Sequence, residues 1–165
     1  MTEVTAMAGS GTAVITLPAE TQILITREFA AAKHLVWKAW TTPALIRRWW
    51  AGRRGKVTHA EVDLRVGGTW RYVMVAHSGF EVAFHGEYRE IVENERIVTT
   101  EVFEAMPEGA VLNTVTFTET AGRTTLAILV DAPDRATRDA IIDSGMEGGM
   151  QEGMDLLEQI AISLQ

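Results

Sequence analysis

From residue 57 onward the sequence holds six stretches of strand-forming character, at 57–64, 69–77, 80–92, 96–104, 111–119 and 123–131. The gaps are short and carry turn chemistry: Val66-Gly67-Gly68, Ser78-Gly79, Glu93-Asn94-Glu95, Pro107-Glu108-Gly109 and Ala121-Gly122. A parallel crossover needs about a dozen residues or more. Strands joined this tightly therefore pair antiparallel, and the chain must form a meander.

Upstream, QILITREF (22–29) adds a strand opening on Ile23, Leu24, Ile25 and Thr26. The period then changes. In AKHLVWKAW (32–40), Leu35, Val36, Ala39 and Trp40 share one helical face, and Thr42-Pro43 ends the helix while preparing a second one over 44–50. Residues 1–20, rich in Gly, Ser, Thr and Ala, read as a flexible arm in which 13–17 is a candidate edge strand; 21–165 reads as one domain. Asp134 is placed to cap a helix running to about Ser163, bent or broken at Ser144-Gly145. Unbroken, it would measure about 42 Å.

That helix contains SGMEGGMQEGMDLL (144–157), although each interior glycine costs about 1 kcal/mol against alanine. On a helical wheel Met146, Gly149, Met150, Gly153 and Met154 fall on the apolar arc with Leu157, Ile160 and Ala161. Glu147, Gly148, Gln151, Glu152, Asp155 and Glu158 fall on the polar arc. A sheet of six or seven strands is about 30 Å wide, whereas a helix with its side chains is about 10–12 Å across. One helix leaves a gap over such a sheet unless the sheet curls around it. The inward glycines then have two explanations, which are compatible: close approach of helix and sheet, with Met as adaptable filler, or room for a ligand.

Strand alternation predicts the opposing wall. Phe80, Val82, Phe84, Gly86 and Tyr88 point inward and His85 outward; Trp70, Tyr72 and Met74, and also Val111, Val115 and Phe117, point inward. Ile97, Thr99 and Phe103 carry Glu101 in with them. A carboxyl in an apolar cavity has a raised pKa and can exchange a proton or anchor a ligand. Trp49 or Trp50 is placed to cap the mouth.

Other chemistries find no support. A net charge of −7 and a pI near 5.1 argue against nucleic acid as a partner. There is no cysteine, and His34, His59, His77 and His85 show no metal-binding spacing, so neither a metal nor a cofactor is expected. No serine sits in a GxSxG elbow. Gly67-Gly68 links strands and opens no phosphate-binding helix. The N-terminus lacks signal-peptide character and no window approaches the ~20 apolar residues of a membrane span. A soluble, cytoplasmic protein is expected.

The segments ITREFAAAKHLVWKAWTTPALIRRWW, DLRVGGTWRYVM, GEYREIVENERIV and SGMEGGMQEGMDLLEQI resemble the activator of heat-shock-protein ATPase homologue-like family. That family is a bacterial branch of the START-like (SRPBCC) superfamily, and the resemblance spans about 22–164. Asp63, Arg65, Gly67 and Gly68 match its DxRxGG turn. The resemblance implies an α+β helix-grip fold: a curved antiparallel sheet of six to seven strands wrapped around a long C-terminal helix, with two short helices after the first strand. Superfamily members bind lipids, sterols, hormones or polyketides, and some catalyse cyclisation or aromatisation.

The expectation is therefore a binding protein for a small apolar or amphipathic molecule. Met146, Gly149, Met150, Gly153 and Met154 would form one wall and Trp70, Tyr72, Phe84 and Phe117 the other, with Trp49 at the mouth and Glu101 as polar anchor. One alternative is a cyclase-type enzyme in which Glu101 or Tyr72 handles protons. Another is an interaction module with a filled core, a heat-shock ATPase being its implied but less favoured partner. A monomer and a homodimer both fit the sequence.

Overall fold

The computed structural model describes residues 13–165. After strand β1 (Val14–Thr16) and strand β2 (Gln22–Phe29) come helices α1 (Lys33–Thr41) and α2 (Pro43–Trp49). The meander follows as β3 (Gly55–Val62), β4 (Thr69–Ala76), β5 (Glu81–Val92), β6 (Arg96–Phe103), β7 (Val111–Thr120) and β8 (Arg123–Asp131). A single 3-10 turn, Pro107–Gly109, sits between β6 and β7. The chain ends in α3 (Arg135–Asp143) and α4 (Met146–Ser163).

All neighbouring strands are antiparallel, in the order β1-β2-β8-β7-β6-β5-β4-β3. Among the described residues the sheet thus has eight strands, against an expected six or seven. The difference is β1, whose three residues are too few to show alternation. It lies within 13–17, the candidate edge strand of the stretch read as an arm; the rest of that arm up to residue 12 lies outside the described residues. Ala13 and Ile15 are fully buried, and Gln151 of α4 accepts from the Ala13 N–H (3.3 Å) and donates to its C=O (3.0 Å). Gln151 was expected on the solvent arc; the structure buries it because its amide completes the hydrogen bonding of a backbone edge.

The long C-terminal helix breaks where glycine permits it. Asp134 accepts from the Thr137 N–H (2.7 Å), which caps α3. Gly145 then takes φ +80°, a left-handed conformation that glycine adopts at no steric cost, and α4 restarts at an angle. Pro43 occupies the first turn of α2, as its fixed φ favours.

The sheet curls through β-bulges at Val57/His59 in β3 and Tyr88/Glu90 in β5. Gly86 contributes a close approach: a Cβ there would lie 1.9 Å from the carbonyl oxygen of Thr100 on the neighbouring strand. The curled sheet closes on the C-terminal half of α4, where Leu157, Ile160 and Ala161 join Ile23, Phe29, Val36 and Leu126 in the core. Arg27, buried on β2, clamps this end by donating to Asp155 and Glu158 of α4, both at 2.8 Å. Phe80 departs from the predicted alternation. It stands in the turn before β5, after Gly79 at φ +98°, and is 62% exposed, because strand pairing begins only at Glu81.

Candidate functional site

The register arranges the inner face of the sheet into rows. Tyr72, Phe84 and Phe103 lie across β4, β5 and β6. In the next row Trp70 faces Gly86 on β5, and Glu101 on β6 faces Val111 on β7. Tyr88, Thr99, Asn113 and Val130 make a third row, and Ile97, Val115 and Ile128 a fourth. Between these rows and the N-terminal half of α4 is a cavity of about 860 Å³. Trp40, Trp49 and Trp50 close one side of it; Ala136, Ala140 and Ile141 of α3, with Met106, Glu108 and Gly109, flank the other.

Of the residues expected at the site, Trp49, Trp70, Tyr72, Phe84, Glu101, Met146, Gly149, Met150, Gly153 and Met154 all line this one cavity. Phe117 does not. It is buried beneath α1, edge-on to Trp37 with ring centroids 5.2 Å apart, because the sheet has by then passed from the cavity to the core. The two inward glycines separate as well. A Cβ on Gly153 would lie 3.0 Å from the Trp49 carbonyl oxygen, so Gly153 serves the close approach of α4 to α2. A Cβ on Gly149 would meet only the Arg54 side chain, at an ordinary 3.7 Å, so Gly149 leaves space. Gly148, on the outer arc, accommodates the Arg54 guanidinium, 2.4 Å from where a Cβ would be.

The tryptophans are held in place. Trp49 donates its indole N–H to the Ala39 carbonyl at 2.9 Å and stacks on Trp40 at 5.1 Å. Trp50 meets Tyr72 and Phe84 edge-on, at 5.4 and 5.7 Å. Trp70 lies against Tyr72 with centroids 4.8 Å apart. These contacts make one aromatic wall from α2, β4 and β5.

The polar groups that the sheet turns into the cavity centre on one pair. Asn113 donates through Nδ2 to Glu101 Oε1 at 2.5 Å. Burial pushes the Glu101 carboxyl above the usual carboxylate range, and the Asn113 hydrogen bond pulls it back only in part. Burial likewise raises Tyr72, with Tyr88 and Glu101 adding to the effect. Asn113 was not singled out from the sequence, although alternation places it between Val111 and Val115. A polar residue on an otherwise apolar strand face was the available signal. Tyr88, Thr99 and Arg54 add to the polar lining, as do Glu108 and Asp134 on the side of α3.

Outside the sheet the chemistry is opposite. Arg71 donates twice to Glu104, at 2.8 and 2.9 Å, and His85 meets the same carboxylate at 2.8 Å. The Arg71 bonds first, then the His85 bond, lower Glu104 to about 2. Among the described residues no group of His, Cys, Asp and Glu is placed to hold a metal ion, and no helix is long and apolar enough to cross a membrane.

Solved structures share this architecture. A Rhodobacter sphaeroides protein is 26% identical, with a TM-score of 0.85 over 92% of this chain and 99% of that one. A Nitrosomonas europaea protein (23% identity, TM-score 0.80, 89% of this chain and 97% of that one) shares the fold. So does an Arthrobacter aurescens protein (22% identity, TM-score 0.81, 96% and 93%). No curated protein matches the chain. The model of one family matches residues 30–161, spanning α1 through most of α4, and on that match the chain belongs to the family described as Activator of Hsp90 ATPase homolog 1-like protein.

Proposed function

We propose that this protein binds a small hydrophobic or amphipathic molecule in the cavity between the sheet and the N-terminal half of α4. The observation that carries this reading is the space itself, about 860 Å³ walled largely by aromatic, aliphatic and methionine side chains. Small-molecule sites run to roughly 300–1,000 Å³ and are mostly apolar with a few placed polar groups. Close packing alone does not account for it, since the C-terminal half of the same helix closes completely on the sheet, with Leu157 and Ala161 fully buried. Folds of this class commonly bind hydrophobic ligands, which agrees with the reading.

Apolar burial, at about 25 cal/mol per Å² removed from water, would supply affinity, while Glu101 and Asn113 would orient the ligand. Native mass spectrometry against a mixed library of fatty acids, sterols and aromatic polyketide-like compounds tests this. Gly149→Leu, whose Cβ would meet only the Arg54 side chain and whose bulk would narrow the cavity, serves as the control. One-to-one adducts of one compound class, lost in the variant, are expected. A folded wild-type protein that takes up none of them would overturn the reading.

One feature favours a second, catalytic reading: a carboxyl whose hold on its proton is strengthened by burial faces the cavity in the row next to Tyr72, and such a group is a candidate general acid toward a bound carbonyl. Glu101→Gln would then abolish turnover of a bound compound while leaving its binding intact.

A further inference from the structure

Glu101 is the one carboxyl of the cavity wall set within the rows of the sheet, and its surroundings restrict what it can accept. Its row neighbours are Gly86 on β5, with Trp70 beyond it, and Val111 on β7. Asn113 occupies Oε1, while Oε2 makes no hydrogen bond among the described residues. The other charged or titratable groups lining the cavity are Tyr72 on β4, Tyr88 on β5, Arg54 after α2, Glu108 in the 3-10 turn and Asp134 at the cap of α3. From α4 come Met146, Gly149, Met150, Gly153 and Met154, none of which titrates. Among the described residues Arg54 is thus the only cation of the wall, and it is paired with Glu152 at 3.3 Å with its side chain half exposed.

Two further atoms lack partners. Among the described residues, Trp70 is 7% exposed and its Nε1 finds no acceptor; Asn113 is 9% exposed and its Oδ1 finds no donor. Both belong to the two rows that hold Glu101 and Thr99, where buried polar atoms are normally satisfied.

We propose that the Glu101–Asn113 pair makes the cavity selective for an uncharged molecule whose buried end carries a hydrogen-bond-accepting oxygen, a ketone, quinone or alcohol on an apolar body, over a carboxylate or an amine. This rests on the cavity being a ligand site. A protonated Glu101 donates from Oε2 to the ligand oxygen while its other oxygen accepts from Asn113, and no net charge is buried. A carboxylate ligand would find no free cation in the interior and would meet the Glu101 carboxyl. An amine would require Glu101 to ionise, so that two charges are desolvated among aromatic rings with one amide for support. The upward displacement of the Glu101 pKa by burial agrees with the neutral form.

The test is a fluorescence titration with four probes on one apolar body: pyrene, 1-acetylpyrene, 1-pyrenecarboxylate and 1-pyrenemethylammonium. At neutral pH the ketone should bind about tenfold more tightly than either charged probe, and more tightly than pyrene, as one buried hydrogen bond implies. Glu101→Gln, whose amide still donates, should keep that preference, and Glu101→Leu should lose it while still binding pyrene. Raising the pH should weaken the ketone preference in the wild type but not in Glu101→Gln. If the ammonium probe binds best and Glu101→Gln abolishes its binding, Glu101 is a counter-ion and the proposal is wrong. Equal binding of all four probes would show that Glu101 does not touch the ligand, also overturning it. If not even pyrene binds, the ligand-site reading itself falls.

Discussion

Glu101 and Glu104 lie three residues apart around the end of β6, one facing the cavity and the other the outer surface, and they titrate in opposite directions. Glu101 has its pKa raised on folding, so the folded state holds its proton more tightly than the unfolded chain does. Its contribution is complete below the unfolded value of about 4.5 and is lost as pH rises through the folded one. Glu104, lowered to about 2, contributes above about 4.5 and loses that contribution as pH falls toward 2. We therefore expect Glu101→Gln to gain stability relative to wild type as pH rises above about 4.5, by about 1.4 kcal/mol for each unit by which burial raises the carboxyl. Glu104→Gln should differ from wild type chiefly above about pH 4.5 and converge with it in acid. Urea unfolding across that range checks both, and a Glu101→Gln difference independent of pH would mean the carboxyl is not held protonated. Alternation alone placed Glu101 inside, because a period of two assigns every second residue to one face regardless of its polarity. The hydrogen bond from Asn113, which joins two strands, depended on a register that no single strand displays.

At the scale of elements, α4 is two helices' worth of function in one. Its C-terminal half packs into the core and its N-terminal half walls the cavity, and the glycines belong to different demands. Gly149 has room for a Cβ and pays only the helix-propensity cost, so Gly149→Ala should stabilise the protein by about 1 kcal/mol. Gly153 abuts the Trp49 carbonyl oxygen at 3.0 Å, and there the propensity gain should be cancelled or reversed by displacement of α2. Chemical denaturation of the two alanine variants separates these outcomes; equal stabilisation would show that α2 gives way freely. The wheel put both glycines on the inner arc but could not rank them, since the difference lies in α2, which the wheel does not contain. Element types, the antiparallel meander and the break at Gly145 were legible because turn residues and periodicity are local signals. β1 was weakly legible and the inward turn of Gln151 was not, because each depends on the other across the fold. Phe80 was misplaced for a related reason: alternation was extended one residue past the point where pairing begins.

For the molecule as a whole, the sheet holds one helix at two kinds of contact, and stability and binding should reside in different ones. Arg27 fixes the C-terminal half of α4 to β2 through Asp155 and Glu158, and Glu158 also accepts from the Ala30 N–H at 2.9 Å. Arg27 is 4% exposed while its acidic partners retain 35% and 25% of their side-chain surface. Water can therefore resolvate the acids but not the arginine's position. Removing the charge by Arg27→Met keeps much of the stem's packing and leaves the acids to rehydrate. The loss should then fall below the 3–5 kcal/mol typical of a broken, fully buried pair, at about 2 kcal/mol. None of Arg27, Asp155 and Glu158 lines the cavity, so a bound ligand should raise the stability of Arg27→Met and of wild type by the same increment, set by ligand concentration and affinity alone. Thermal unfolding of both proteins, with and without a saturating compound identified by mass spectrometry, measures the two increments. Equal increments would place binding and anchoring in separable halves of the fold. A smaller increment in the variant would mean that the clamp at Asp155 and Glu158 sets the geometry of the cavity wall that ends at Met154, and the two halves would have to be treated as one unit.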